Sequence, residues 1–475
     1  MFTPVPSPRD NDLPLRERSF WRMTGPGAVM IGLSIGSGEL VLWPWITAKF
    51  GVEMLWAAAF GLFIQVWINI EIGRWVISTG ESVFTGFARV ARWTVFYFFV
   101  PLLAIAVLPG WARAAGTCIK LLFFGPDGPG ADWMWTAGAF ACALAIMFGP
   151  KNVYRAVEIS VTLMVILITG GMLVVAFTVG TISDAVSFVA GFGNIGHLRF
   201  TDDFTLSKLF GAVVFAGAGG FGNLFYAYYL REKGIGMGAC MPPMTSALRA
   251  KDAGGAEAGF RFRDTPENVR RFTDWFRYVI LDNTFYFFFL NAFTMFLFMF
   301  GSFVVLFAHG TVPAESTIIW DLAMILGDSL GPWGRYLYLL IAVAAMFSTQ
   351  LTFSDGTARL WTDLFHLNFK FAKRWPANRM YLAFALGLST ISVVSTWFLE
   401  TYDVSALDFF FLNAVANGFA MALYVPLLVY LNYKCLPKAA HPRPLNLVMM
   451  IVASATYISF AVYIVVDKAT SFAAG

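Results

Sequence analysis

The chain has 475 residues, of which 58% are hydrophobic and only 13% are charged. Soluble domains carry about a quarter charged residues, so a soluble chain of this composition would lack the polar surface that keeps it in solution. The formal net charge of +4 is small and spread over separate loops, which argues against a nucleic-acid partner. The composition therefore predicts that the main partner is a lipid bilayer.

Apolar windows long enough to cross a bilayer as helices follow one another along the chain. They come after a polar tail, residues 1–24, that lacks the apolar segment of a removable signal peptide. We number the eleven predicted windows span one to span eleven, at 25–48, 52–79, 94–117, 131–149, 155–182, 207–231, 278–308, 333–362, 378–398, 404–433 and 445–466. The sequence thus predicts an all-α, multi-pass membrane protein.

Lys and Arg are concentrated in the N-terminal tail and in the even-numbered loops, above all in the sixth loop at 232–277. This bias places the tail in the cytoplasm, and the bacterial inner (plasma) membrane is the expected location. We predict the sixth loop to be a cytoplasmic linker in which Pro266 to Arg277 forms a short interfacial helix.

Two spans contain dense glycine clusters that end in a polar residue. These clusters are Gly36-Ser37-Gly38-Glu39 in span one and Gly217-Ala218-Gly219-Gly220-Phe221-Gly222-Asn223 in span six. Each glycine disfavours helix by about 1 kcal/mol relative to alanine. Non-helical backbone at membrane depth survives only where it is buried in protein or lines a water-filled cavity. The clusters therefore predict two discontinuous helices.

The two clusters lie five spans apart, the pattern of two inverted five-helix repeats with a binding site between them. The predicted organisation is a cytoplasmic tail at 1–24, a first repeat at 25–182, an external loop at 183–206, a second repeat at 207–433 that contains the cytoplasmic loop 232–277, and an extra helix with the C-terminus at 434–475.

The sequence resembles the Nramp (natural resistance-associated macrophage protein) family of metal transporters over most of its length. The stretches that carry the resemblance are Gly25-Pro26-Gly27, IGRWVISTGES at 72–82, the polar residues Asp282, Asn283, Thr284 and Asn291, and FSTQLTFSDGTAR at 347–359. The resemblance implies a LeuT-type fold of two inverted repeats plus an eleventh helix, and metal transport by a symport mechanism.

The predicted site departs from the family pattern. Where the family has Asp-Pro-Gly-Asn in its first helix, this chain has Gly36 to Glu39, so the liganding Asp and Asn correspond to Gly36 and Glu39. Where the family has Met-Pro-His in helix six, this chain has Gly220-Phe221-Gly222. The soft thioether ligand that suits Mn²⁺ and Fe²⁺ is therefore absent.

The residues at the two breaks are the candidate substrate-binding residues: Gly36, Ser37, Gly38, Glu39, Ala218, Gly219, Gly220 and Asn223. A carboxylate at the membrane centre costs about 2.5–3.5 kcal/mol, so Glu39 is expected to have a function. We predict a metal site formed by Glu39, the carbonyls of Gly36 and Ala218, and Asn223, whose oxygen ligands suit a hard cation such as Mg²⁺.

The sequence is also compatible with two other roles for Glu39. It can carry a proton, because burial raises the pKa of a carboxyl group, or it can cap the outer half-helix of span one. Asn223 is predicted either to ligate the substrate or to hydrogen-bond the opposed break.

Further charges lie inside the predicted spans. Glu71 and Arg74 are three residues apart, and Asp355 and Arg359 four, so each pair is predicted to form an ion pair along one helix. Arg113 has no acid in reach within its own span. Glu158 and Asp282 are its predicted partners, and Glu39, Arg113, Glu158 and Asp282 are the candidates for a proton path.

No catalytic or cofactor motif accompanies these residues. The four cysteines lack CxxC spacing, and the sequence contains no glycine-rich phosphate loop. We therefore predict no enzyme activity and no cofactor, and we expect transport to draw on an ion gradient or on the gradient of the substrate itself.

Two transport functions fit the sequence. The first is alternating-access, proton-coupled transport of a metal cation by an Nramp-related protein. The alternative is transport of an amino acid or another carboxylate-bearing solute, because free amides at a glycine-rich break can hold a carboxylate. The stretch IGSGELVLWP at 35–44 also resembles a segment of amino-acid permeases with this fold. A receptor and a membrane enzyme are weaker interpretations, since no signalling domain or catalytic motif is evident.

Overall fold

The structure is a computed structural model that describes residues 4–16, 19–249, 258–314, 317–402 and 406–474. It is almost entirely helical. The longer α-helices are Pro26–Ser34, Trp43–Phe50, Leu55–Thr79, Val83–Val90, Thr94–Val107, Gly110–Phe124, Asp132–Phe148, Val153–Thr178, Ile182–Ala190, Leu206–Val214, Phe221–Glu232, Pro266–Asp282, Asn291–Gly301, Met324–Asn368, Ala377–Thr401, Ala406–Cys435 and Pro444–Ala474. Wider π-helical turns occupy Ile35–Leu42, Asn283–Leu290 and Ser302–Phe307.

Each of the eleven predicted windows overlaps helical backbone. Within the described residues, eight helices are long and apolar enough to cross a membrane, and a ninth span results if the bent pair Pro26–Ser34 and Gly38–Phe50 is counted as one. The chain is an integral multi-pass membrane protein.

Two of the eleven predicted windows, spans four and six, are not among these nine spans, each for a physical reason. Span four corresponds to Asp132–Phe148, whose 17 residues rise only about 25 Å. Span six is divided into Leu206–Val214 and Phe221–Glu232, and neither piece crosses a bilayer by itself. The count of eleven spans therefore stays a prediction.

The predicted ion pairs along single helices are confirmed. Arg74 donates to both carboxylate oxygens of Glu71, at 2.8 and 3.0 Å, and Arg359 donates to Asp355 at 2.8 Å. All four side chains are buried. Because an isolated charge in a low-dielectric interior is costly, this pairing explains how four ionisable groups are accommodated inside the bundle.

The predicted partners of Arg113 are wrong. Its guanidinium lies 3.9 Å from the carboxylate of Asp132, the first residue of span four, and not against Glu158 or Asp282. Asp132 also receives hydrogen bonds or ion pairs from Thr117 and Lys120. Asp132 lies within the fourth predicted window, at 131–149, and its pairing with span three becomes evident only once the spans are packed.

The N-terminal tail and the sixth loop pack together instead of extending separately. Arg9–Asp10 pairs with Phe260–Arg261 as a short parallel two-stranded sheet. Leu13 is fully buried, and its N–H donates to Asn268 at 3.1 Å. The predicted short helix is longer than expected, because Pro266–Asp282 continues directly into span seven. Residues 250–257 of the loop lie outside the described part of the chain.

Candidate functional site

The break in span six is a non-helical segment at residues 215–220. The first half-helix ends at Val214 and the second begins at Phe221. Gly219 and Gly220 have φ angles of 57° and 53°, in the left-handed region that residues with a Cβ rarely adopt. A Cβ on Gly220 would also lie 2.0 Å from the amide oxygen of Asn417. Two glycines are therefore required at this turn.

Side chains from spans two and ten occupy the free amides of this break. The oxygen of Gln65 accepts hydrogen bonds from Gly219 N–H at 3.0 Å and from Asn223 Nδ2 at 3.1 Å. The Gln65 amide donates to the Val214 carbonyl at 3.0 Å. Asn417 accepts from Phe221 N–H at 3.1 Å. The amides that were expected to attract an anion are thus already bound to protein.

The carbonyl side of the same break is different. Residues 215–218 are nearly or fully buried, yet none of their four carbonyl oxygens accepts a hydrogen bond from any backbone or side-chain group that the structure describes, a set that leaves out the side chain of Ser37. Unwound carbonyl groups of this kind are the ones that coordinate cations in discontinuous membrane helices. The predicted ligand Ala218 belongs to this row.

The break in span one is a bend of 41° between Pro26–Ser34 and Gly38–Phe50. Gly36 departs from helical geometry, with ψ −109°. The carbonyl of Gly32, near the end of the first half-helix, accepts from Ser348 at 2.8 Å, and that of Leu33 lies 3.1 Å from the Thr349 hydroxyl. Span eight therefore supplies the donors that the interrupted helix lacks.

The two breaks touch each other. A Cβ built on Gly38 would lie only 1.7 Å from the carbonyl oxygen of Phe215. No side chain fits there, so the close approach depends on glycine. The residue that follows Gly38 is Glu39. The contact therefore places the break that carries the carboxylate directly against the unpaired carbonyl row.

Glu39 is fully buried, with 0% of its side chain exposed. One of its carboxylate oxygens, Oε2, accepts a hydrogen bond from Thr294 of span seven at 3.1 Å. The other oxygen, Oε1, has no partner among the described residues. The recorded hydrogen bond of the Glu39 carboxylate thus comes from a side chain of another span. It does not come from a backbone amide of the half-helix that carries Glu39, which argues against the capping role.

Two asparagines, Asn291 of span seven and Asn223 of span six, also carry unpaired polar atoms. Asn291, one turn before Thr294, is 0% exposed and lies beside the Glu39 carboxylate, but neither of its amide atoms has good hydrogen-bond geometry to a described residue. The Oδ1 atom of Asn223 is likewise unpaired. An unpaired buried polar group costs about 1–3 kcal/mol, so several together indicate a place that water or a ligand occupies.

The structure brings together some of the predicted site residues and separates others. Gly36 and Gly38 lie at the bend with Glu39, and Ala218 lies in the carbonyl row. Asn223 binds Gln65 of span two, and no hydrogen bond joins it to Glu39 in the described residues. The backbone of Ser37 belongs to the bend, and its side chain lies outside the described part of the structure.

The four proton-path candidates occupy three separate places. Glu39 lies at the junction of the breaks, and Arg113 lies beside Asp132. Glu158 and Asp282 both flank the first turn of Pro26–Ser34. A Cβ on Gly25 would meet the Glu158 carboxylate at 1.8 Å, and a Cβ on Gly27 would meet that of Asp282 at 2.8 Å. Two carboxylates therefore face the positive end of this half-helix.

A groove of about 1060 Å³ runs beside the first half of span one. Its charged end is formed by Arg22, Glu158 and Lys233, where Lys233 is ion-paired with Glu158. Its lining also includes Leu290, which directly precedes Asn291 in the sequence.

Sequence reasoning missed Gln65, Thr294 and the pair Ser348-Thr349. Gln65 and Thr294 lie in apolar spans without a local motif. Ser348 and Thr349 lie in the polar stretch at 347–359, but their contact with span one appears only once the spans are packed. One signal was available for Gln65. It lies four residues before Asn69 on an otherwise apolar helix, which indicates a polar stripe turned towards the interior.

Within the described ranges, no group of three or more His, Cys, Asp or Glu side chains is placed to hold a metal ion. A cation at the junction would instead meet one carboxylate, amide oxygens and backbone carbonyls. These are hard oxygen ligands of the kind that Mg²⁺ and Ca²⁺ prefer.

No protein-family profile and no curated protein sequence matches this chain. Solved structures do match. A mutant of the manganese transporter of Eremococcus coleocola has a TM-score of 0.64 at 15% identity, covering 95% of this chain and 88% of that one. A nucleobase-cation-symport-1 family transporter with bromovinylhydantoin bound has a TM-score of 0.52 at 12% identity, covering 97% and 95%.

MhsT in complex with L-phenylalanine matches with a TM-score of 0.50 at 15% identity, covering 93% of this chain and 97% of that one. These proteins share the LeuT-type fold. The predicted fold class, with discontinuous helices one and six, is therefore confirmed, while identities this low say nothing about the substrate.

Proposed function

We propose that the chain is an Nramp-related secondary transporter that moves a hard divalent metal cation, such as Mg²⁺, across the membrane by alternating access. The observation that carries the proposal is the junction of the two breaks. There a buried carboxylate oxygen of Glu39 and the carbonyl row at 215–218 lack hydrogen-bond donors within the described residues.

The charge at the junction favours a cation. Glu39 supplies one negative charge, and carbonyl and amide oxygens supply partial negative charge without any basic side chain among their recorded contacts. A cation that enters would be attracted by Glu39 and would satisfy the oxygens that are otherwise unpaired. A divalent ion retaining part of its water shell needs few protein ligands of this kind.

The same geometry disfavours a carboxylate-bearing solute, which is the alternative function. At the span-six break its carboxylate would have to replace Gln65 and Asn417, to which Gly219 and Phe221 already donate. At the span-one break it would lie close to Glu39, whose negative charge would repel it.

Alternating access requires that the junction open to each side in turn. Glu39 and Asn223 have no exposed surface here, which corresponds to an occluded site. The groove beside Pro26–Ser34 is lined by Leu290, the residue before Asn291, and by Glu158 and Lys233. We propose that the cation leaves along this groove when the half-helix moves.

Proton coupling belongs to the same proposal. In this proposal the arriving cation displaces a proton from Glu39, and Asp282 and Glu158, beside the first turn of span one, accept that proton, so that cation and proton move in the same direction. Tyr226 donates to Asp282 at 2.8 Å and holds that carboxylate in place. Arg113, held by Asp132, keeps a positive charge apart from this route.

The test is uptake by purified protein in proteoliposomes, with Mg²⁺, Mn²⁺, Ca²⁺ and small amino acids offered separately. We expect uptake of a divalent cation that is accelerated by an inward proton gradient. Uptake of an amino acid alone, unaffected by divalent ions, would contradict the proposal and support the alternative. Empty liposomes and liposomes with Glu39→Gln protein are the matched controls.

A further inference from the structure

A second concave surface lies on the outside of the bundle. It is an apolar groove of about 420 Å³ between spans two, seven and eleven. Its walls are formed by Phe63, Trp67 and Ile70 of span two and by Phe276 and Phe288 of span seven. We call it the aromatic groove.

The polar residues of the aromatic groove are gathered at one end. Arg443 and Asn446, at the start of span eleven, line it there. Asn446 donates to Glu71 at 2.9 Å, and Arg74 stacks on the Phe276 ring at 4.1 Å, so this end lies level with Glu71 and Phe276. Phe63 and Phe288, with ring centroids 6.2 Å apart, close the opposite end.

The length of the groove matches one leaflet of a bilayer. From Ile70 to Phe63 span two rises about 10 Å, and from Phe276 to Phe288 span seven rises about 18 Å. Half of a hydrocarbon core of about 30 Å is about 15 Å. An acyl chain that begins at Arg443 would therefore end near the Phe63–Phe288 contact.

Arg443 supplies a positive charge at the membrane surface. It is exposed, and no salt-bridge partner for it occurs in the part of the chain that the structure describes. The nearest buried acid, Glu71, is already satisfied by Arg74, Asn432 and Asn446. Arg443 also belongs to a basic loop, which places it at the leaflet that carries anionic lipids.

We infer that the aromatic groove is a binding site for an anionic phospholipid, with the phosphate on Arg443 and one acyl chain along Trp67, Ile70 and Phe288. The charge selects the headgroup and the aromatic walls hold the chain. The site is independent of the transported substrate. It reaches Phe288, one turn before Asn291, so a bound lipid contacts the helix that carries part of the junction.

The test compares lipid retention by native mass spectrometry after the full chain is extracted from vesicles of equal parts phosphatidylglycerol and phosphatidylethanolamine. We expect wild-type protein to retain phosphatidylglycerol preferentially. Arg443→Ala should reduce that retention about five-fold, the factor for one basic residue at an anionic surface. Lys434→Ala, which removes an exposed charge outside the groove, should leave it unchanged.

A second variant keeps the charge and fills the groove. Thr284 is half-buried in the groove wall, so the larger side chain in Thr284→Trp should occupy the space of the acyl chain. We expect retention of phosphatidylglycerol to fall in this variant although Arg443 is intact. Equal retention by wild type, Arg443→Ala and Thr284→Trp would overturn the inference. So would a lipid-independent dimer that Thr284→Trp disrupts, because the groove would then hold a second copy of this chain.

Discussion

The breaks in spans one and six have similar glycine content, but their polar groups are satisfied to different degrees. In span six, Gln65, Asn417 and Tyr424 bind the backbone of Gly219, Phe221 and Gly220. In span one, hydroxyls of span eight bind the carbonyls of the first half-helix, while Oε1 of Glu39 is left without a donor among the described residues.

The comparison shows that a broken helix is not by itself a binding site. The amide end of the span-six break is held by side chains and acts as a structural support. The carbonyl row of that break and the carboxylate of the other break remain unpaired where the two meet. We therefore expect the amide end of the span-six break to matter for stability, and the contact between the two breaks to matter for transport.

The largest effect on stability is expected from Gly38→Ala. The new methyl would lie 1.7 Å from the Phe215 carbonyl oxygen, and a backbone atom cannot move aside as a side chain can. We expect a loss of at least about 3 kcal/mol in the free energy of unfolding, seen as a lower thermal midpoint in detergent.

Gly387→Ala is the matched control for that variant. Nothing lies within 4 Å of a Cβ built on Gly387, which is inside the helix Ala377–Thr401. We expect no loss, or a gain of up to about 1 kcal/mol from helix propensity. Equal midpoints for the two variants would show that the breaks do not touch as described.

Gln65→Leu is expected to have the second-largest effect, a loss of about 2 kcal/mol in the free energy of unfolding. The variant removes the acceptor of Gly219 N–H and the donor to Val214, and leaves both backbone groups buried and unpaired. The control is Gln350→Leu. Gln350 is also 0% exposed, but both of its amide atoms lack partners in the described structure, so we expect a neutral or stabilising change. The reverse order would contradict the supporting role of Gln65.

Thr294→Val should cost about 1 kcal/mol or less in stability but should change transport. It keeps the side-chain shape and removes the hydroxyl that donates to Glu39. We expect the apparent affinity for the cation to change about five-fold. Thr362→Val, which loses only a bond to its own helix at Ala358, should transport like wild type. An unchanged affinity for the cation in Thr294→Val would contradict contact between Glu39 and the transported cation.

The smallest effect is expected at the C-terminal end of span one, where Lys49 is ion-paired with the half-exposed Asp203. Hydrogen bonds from Lys49 and Thr201 lower the pKa of Asp203 to about 2. The stabilisation is therefore complete above the ordinary pKa near 4 and disappears as the pH falls towards 2. Asp203→Asn should lower the free energy of unfolding by about 0.5 kcal/mol. The difference between variant and wild type should be the same from pH 5 to pH 8. A difference that grew over that range would point to another titrating group.

Much of the fold could be predicted from the sequence because it depends on local properties. Runs of apolar residues located the helices, and dense glycine located both interruptions. The pairs Glu71–Arg74 and Asp355–Arg359 followed from helical spacing alone. The length of span four and the continuation of Pro266–Asp282 into span seven could not be read in this way, since helix ends depend on packing against other elements.

The site was predicted only in part. Glu39 and Ala218 are predicted site residues because a carboxylate or a glycine-rich break is conspicuous in an apolar span, and the structure places them in the two breaks that touch. Gln65 and Thr294 were missed because their partners come from spans distant in sequence. Asn223 was predicted either to ligate the substrate or to bind the opposed break, whereas its recorded hydrogen bond goes to Gln65 of span two.

The most direct test of the central claim is the initial rate of divalent-cation uptake by Glu39→Gln protein in proteoliposomes, with wild type reconstituted in parallel at equal protein density. The variant keeps the size of the side chain and its acceptor for Thr294, so its thermal midpoint should match that of wild type. We expect uptake to fall to the level of empty liposomes. Wild-type uptake by a folded Glu39→Gln protein, at every pH tested, would contradict a role for the buried carboxylate in binding the transported ion.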